Sequence, residues 1–525
     1  MPITRRSLLA GGASAAAASA LAPRLAADTK GLRSAWAAGC ERPLPAPSAE
    51  THLLNRATFG ATAKERAWVR IIGPSAWIDE QLAYEDLDDA ATDAALAPLV
   101  SLGWTLPQIK ANGFNGPTPL SNELVAATLY RAVASRRQLF EVMVDFWSNQ
   151  FNVYHPEEFV SRVKTWDDRE VFRKHALGSF RDLVHGSAAS PAMLRYLNAN
   201  RNTKAGPNEN YARELMELHT LGVDGGYDEQ DIKEVARAFT GWRYRNNDWA
   251  FEFNAGDHSP GPYTVIGQTI DAEGVMAGRA VLDRLVDHPS CARHVARRLC
   301  QRFVADDPSA RIVADVAAAF GRDGDIRAML RVLLNHADFQ SAHHSPDGGP
   351  AKIRRPMEHW AAALRALEVD PAALLLELPE DAYDGEGIVR YGDDRAEDHL
   401  QRMDHLPFRW PAPDGYPDTG PWWSGMHVLA GRWNFAMALA EGELWGMPLD
   451  LAAESLRAGF ATTPAALVDG WSARLLGRDL LPADRDRLIA FLGRGDTGVM
   501  ADADLATRLP LLVALLLDGP YFTWR

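Results

Sequence analysis

At 525 residues, 47% apolar and 24% charged, with a formal charge of −14, the chain is long enough to bury a large core without metal or disulfide staples. That composition excludes a disordered or wholly membrane-embedded protein, and the acidity excludes non-specific nucleic-acid binding, which needs a basic patch.

Thr4-Arg5-Arg6-Ser7-Leu8-Leu9 opens a small-residue apolar run that ends at Leu21. A basic stretch, a short apolar stretch and small residues make a signal peptide over residues 1–27, and the paired arginines before a weakly hydrophobic run point to twin-arginine export. The competing readings are a chance Arg-Arg before a tail and a short membrane anchor. Cleavage is expected near Ala26 or Ala27. It removes three arginines and no acid, taking the charge to −17. No later window offers the roughly 18 consecutive apolar residues of a spanning helix, so the processed chain is expected free of the membrane, in the periplasm or outside the cell.

Residues 28–50, rich in Ala, Pro and Ser, read as a linker, and 51–525 as one helical domain. Helical periodicity covers 121–151, 171–186, 208–221, 228–242, 275–286, 290–303, 309–320, 324–335 and 352–367. Asp228 is expected as an N-cap with Asp231 three positions on and Tyr227 stapled on Ile232, while Gly222 suits the left-handed end of the preceding helix. Three long loops interrupt the helices: 104–120, 243–270 with a small β-hairpin, and 369–425. The fold expected is mainly α, a large multi-helix single lobe. Cys40, Cys291 and Cys300 form no metal-ligand spacing, and a Cys291–Cys300 bridge is disfavoured because nine residues turn them to different helix faces.

The segments "HLLNRATFGAT" (52–62), "LFEVMVDFWSNQFNV" (139–153), "ALGSFRDLV" (176–184), "PNENYARELMELHTLGVDGGY" (207–227), "DIKEVARAFTGW" (231–242), "LVDHPSCARHVARRLCQRFVADDP" (285–308) and "DGYPD" (414–418) resemble the bacterial domain-of-unknown-function 1800 family over about residues 50–525. The resemblance implies fold and twin-arginine export rather than an activity. Members commonly carry Trp-His-Asn-His-Phe where this chain has Trp147-Ser148-Asn149-Gln150-Phe151, so the two histidines that would suggest a metal are replaced here. Members also tend to have His-Asp where this chain has His258-Ser259.

On the 208–221 helix, Asn210, Arg213, Glu214 and Glu217 form a polar stripe. Arg213 precedes Glu217, the weaker order for a surface pair, and both acids sit toward the negative helix end. Three readings stay open: an internal network in which Arg213 neutralises both acids, the wall of a catalytic or ligand site, or plain solvent exposure. A divalent hard cation held by Glu214, Glu217 and carbonyl oxygens is admitted, although no Glu-x-x-His or His-x-His accompanies them. An EF-hand reading of 224–235 fails, with Gly226 and Val235 where acids are needed. His258, in a Gly/Pro loop, is a candidate acid, base or ligand. Asn149, Trp242, Trp410 and Tyr416 complete the candidate ligand-binding set, Trp410 and Tyr416 flanking Asp414 in either a binding lip or a structural plug.

The leading expectation is an exported enzyme acting on a cell-envelope or extracellular polymer, with Glu214, Glu217 and His258 as catalytic groups and a divalent metal as an option. The alternative is a non-catalytic binding or assembly protein working with an exported enzymatic partner.

Overall fold

The computed structural model describes residues 44–112, 119–342, 352–375, 396–444, 447–493 and 497–525. The expected signal peptide, the expected linker up to residue 43 and Cys40 lie outside the described residues, as do parts of the 104–120 and 369–425 loops. Leu44 is buried in the main core, and the helix Ala49–Ala57 starts on the Ser48 hydroxyl, so residues 44–50 belong to the packed body.

The architecture is mainly α. Among the described residues the strands form two antiparallel pairs, β1 (Trp242–Tyr244) with β2 (Phe251–Phe253) and β3 (Tyr263–Val265) with β4 (Gln268–Ile270). One hairpin is expected in that loop, and two are found. The expected helix 121–151 is divided into Pro119–Ala134 and Gln138–Gln150. The reason is the buried Asp89, which accepts from the Ser135 hydroxyl at 2.6 Å and the Arg136 N–H at 3.0 Å. Those bonds hold the backbone out of helical register. Expected caps form as read: Asp228 and Asp231 make a reciprocal capping box, and Gly222 has φ +80°.

The helix beginning at Asn210 changes at Leu215 into a π-helical turn, Leu215–Thr220. Leu221 and Gly222 both donate to the Met216 carbonyl, and the Leu218 carbonyl is bound by side chains instead, Gln150 Nε2 at 2.5 Å and His294 Nε2 at 2.8 Å. Gly222 is required twice over, since a Cβ there would also stand 2.8 Å from His294 Nδ1.

One continuous apolar core runs from Leu44 to Phe522, and a smaller one of Ile353, Tyr416, Trp423 and Val428 lies under the end of the 369–425 loop. Between them is a buried ionic cluster that sequence reading misses. Glu358, wholly buried, faces Arg302 at 2.8 Å, Arg525 at 3.0 Å and Arg355 at 3.2 Å. Burial pushes its carboxyl up, but Arg302, Arg525 and Arg355 together hold it well below the usual range. Arg355 also reaches Asp145 at 2.7 Å and Asp418 at 3.8 Å, which fastens the end of the loop to the cluster.

Candidate functional site

The segment around Trp410, the candidate lip, is held in place by side chains from several elements. Asn149, near the end of the Gln138–Gln150 helix, donates to the Tyr416 carbonyl at 3.0 Å and accepts the Tyr416 N–H at 2.7 Å. Asn152 donates to the Trp410 and Ala412 carbonyls, and the Tyr196 hydroxyl to the Pro411 carbonyl at 2.6 Å. The His155 N–H binds the Phe408 carbonyl, while the buried Lys164 ammonium sits 5.2 Å from the Phe408 ring. Such clamping is needed because Phe408 is at φ +66°, a strained backbone for a bulky residue. Asp418 closes the far end through Arg298, at 3.4 Å, and Arg355. Gly415 fits only as glycine: at φ +72°, its Cβ would lie 2.2 Å from the Asn149 carbonyl oxygen.

On this scaffold Trp410 stands at 78° to Trp422, ring centres 5.6 Å apart, with Trp422 54% exposed. The Trp410 indole N–H donates to Asp414 Oδ1 at 2.8 Å, and Asp414 is exposed. Tyr416 backs the Trp410 ring from the core side, 5.2 Å away. Tyr416 and Trp423 fill the small core, Trp410 packs on it half-buried, and Asp414 and Trp422 are exposed.

Glu214 lies within electrostatic range of Asp414 in this loop. Its carboxyl is raised above the ordinary range by partial burial and then by the charges of Glu217 and Asp414, with Arg213 opposing weakly. Tyr196 belongs to the same group: its phenol is pushed up to about 12 by burial and by Glu214 and Asp414. Of the two acids in the network reading, Arg213 pairs with Glu217 and forms no ion pair with Glu214. It binds Glu229 through two bonds of 2.8 Å and lies 3.5 Å from Glu209 and from Glu217. Four-residue spacing on the helix offers it Glu209 and Glu217, and the turn at 222–228 brings Glu229 close. Among the described residues no cation stands within ion-pair reach of Glu214.

Other candidates are placed elsewhere. Asn210 is exposed at the first residue of its helix and bonds no neighbouring loop, its N–H being taken by Asn208 Oδ1 at 2.9 Å. Trp242 is buried, its ring packed edge-on against Phe239 and Phe251, so it is core rather than lip. His258 bonds the Thr240 carbonyl at 2.9 Å through Nδ1 and the Tyr263 hydroxyl at 3.0 Å through Nε2. Its two ring nitrogens thus tie Thr240, ahead of β1, to Tyr263 at the start of β3. Among the described residues no three His, Cys, Asp or Glu groups are arranged to hold a metal ion. Tyr196 and Asn152 escaped the sequence reading because no spacing links them to residues some two hundred positions away.

Residues 52–524 match the family described as "Protein of unknown function (DUF1800)", and the chain belongs to it. No curated protein and no solved structure matches.

Proposed function

We propose that this protein is an exported acid–base enzyme that acts on a cell-envelope or extracellular polymer at the lip, with Glu214 as proton donor and Asp414 as the paired carboxylate. The observation that carries the reading is Glu214: half-buried, without an ion-pair partner among the described residues, and raised by burial and two neighbouring acids against a weaker opposing effect of Arg213. A carboxyl so placed stays protonated to higher pH than a solvated one and can deliver its proton to a leaving group. Asp414, with one oxygen fixed by the Trp410 indole, keeps the other for a water or substrate hydroxyl. An open shelf suits a polymer, which need not be swallowed whole. Export rests on Arg5-Arg6 and the weakly apolar run behind them. Among the described residues no helix is long and apolar enough to cross a membrane.

Purified processed protein, assayed on sacculi, extracellular polysaccharides and polyesters, should release soluble fragments. Glu214→Gln should lower kcat by roughly 100-fold or more with little change in KM. Full activity in both Glu214→Gln and Asp414→Asn would overturn the assignment.

The second reading, a non-catalytic binding protein with an exported enzymatic partner, draws on the closed Arg213 network and on exposed Trp422, Met426 and Leu429. It requires that Glu214→Gln bind as wild type and that wild type cleave nothing.

A further inference from the structure

We infer that Arg298 and Gln150 couple the π-helical turn behind Glu214 to the Asp418 end of the lip, so that the two elements carrying the proposed acid and its partner shift together. The catalytic use of this coupling rests on the acid–base reading; the coupling itself does not.

The turn has a second backbone arrangement within reach. In an α-helix the Gly222 N–H would bind the Leu218 carbonyl, four residues back; here it goes to Met216, and Gln150 Nε2 and His294 Nε2 hold Leu218 instead. Glycine at 222 permits both arrangements, so the side chains decide between them.

Gln150 is committed at both ends. Its Oε1 accepts from Arg298 Nε at 2.8 Å while its Nε2 donates to the Leu218 carbonyl at 2.5 Å. Turned over, the amide would set oxygen against a carbonyl and NH2 against a guanidinium, so its orientation is fixed. Arg298 also reaches the buried Asp418 at 3.4 Å, and Asp418 is fastened to Arg355 at 3.8 Å and through its carbonyl to Lys352. A displacement of Asp418 therefore pulls the guanidinium, the guanidinium sets the amide, and the amide holds or frees Leu218.

One helix makes these contacts. His294, Arg298 and Arg302 recur every four residues on Pro289–Phe303 and share a stripe. His294 touches the turn, Arg298 the amide and the lip, and Arg302 Glu358, so turn, lip and ionic cluster are all referred to one rigid bar.

The test is amide hydrogen exchange of the full processed chain, read residue by residue by NMR with no substrate present. Asp418→Asn, made in the lip, should speed exchange of the Leu221 and Gly222 N–H groups about tenfold, while the Ile232 N–H, bonded to Asp228 in the next helix, stays within about twofold of wild type. In an Arg298→Met background the same substitution should add nothing at Leu221 and Gly222, because the link is already cut. Gln150→Glu keeps an acceptor for Arg298 but offers Leu218 no donor. It should free the turn and leave the Tyr416 N–H, bonded to Asn149, as protected as in wild type. Unchanged exchange at Leu221 and Gly222 in Asp418→Asn or in Gln150→Glu, an equal acceleration at Ile232, or an undiminished effect in the Arg298→Met background would each overturn the inference. The two proposals fail separately. A coupled turn in a protein that cleaves no polymer removes the acid–base reading and leaves this one, and Glu214-dependent cleavage with an uncoupled turn does the reverse.

Discussion

The Asn149 carboxamide and the Tyr416 backbone are bonded in both directions, amide nitrogen to carbonyl at 3.0 Å and N–H to amide oxygen at 2.7 Å. This pairing joins the end of a core helix to the middle of the lip, and both groups are buried. Asn149→Ala strands two backbone groups and should cost about 2–4 kcal/mol in urea unfolding. Gly415→Ala should be at least as damaging, because the added Cβ strikes the Asn149 carbonyl. A midpoint unchanged in both variants would show that the lip is not held this way.

Glu214 should make stability fall with rising pH. Its folded carboxyl titrates above the ordinary value, so the folded state keeps its proton where the unfolded chain has lost it. The contribution is present below the unfolded pKa and lost as pH rises through the folded one. Glu214→Gln should therefore melt higher than wild type at pH 7 and equal to it near pH 4. Equal melting temperatures at both would deny the raised carboxyl.

Acid acts in the opposite sense on buried histidines. Burial holds His155 and His219 at about 3, with Arg409 adding to the effect at the first and His294 at the second. Unfolding lets them take up protons, so their contribution is lost as pH falls below roughly 6.5, on the order of 2 kcal/mol each by about pH 5. His219 packs 4.8 Å from Phe151, and His219→Phe should flatten the melting-temperature decline between pH 7 and pH 5. An unchanged slope would place the acid sensitivity elsewhere.

Glu358 is the shared counter-ion of Arg302, Arg355 and Arg525. Glu358→Gln leaves three buried guanidiniums short of charge and should destabilise by about 3–5 kcal/mol, read from urea midpoints. Because Arg355 also carries Asp418, tryptophan fluorescence of the lip should change in the same variant under native conditions. Stability within about 1 kcal/mol of wild type would contradict the central role of this carboxylate.

Export is checked by replacing the pair: Arg5→Lys with Arg6→Lys should leave full-length protein in the cytoplasm. Normal delivery of processed protein would remove the twin-arginine reading.

Local chemistry written in consecutive residues was legible from the sequence. The capping box at Asp228 and Asp231, the left-handed Gly222 and the helix Val275–Val286 depend on neighbours a few positions apart, and they form as read. The mainly α fold follows from the same periodicity. Partners chosen across the fold were not legible. Asp89 breaks the helix expected over 121–151 because its carboxylate arrives from another segment. Arg213 takes Glu229 rather than Glu214, and His258 spends both nitrogens on Thr240 and Tyr263. Sequence alone determined that an acidic stripe and a Pro-flanked aromatic loop exist. Only tertiary packing decided that Glu214 falls within electrostatic range of Asp414 while Trp242 is buried in the core, because electrostatic and packing energies depend on distance in space, and some two hundred residues of chain separate the acid from the loop that helps to raise it.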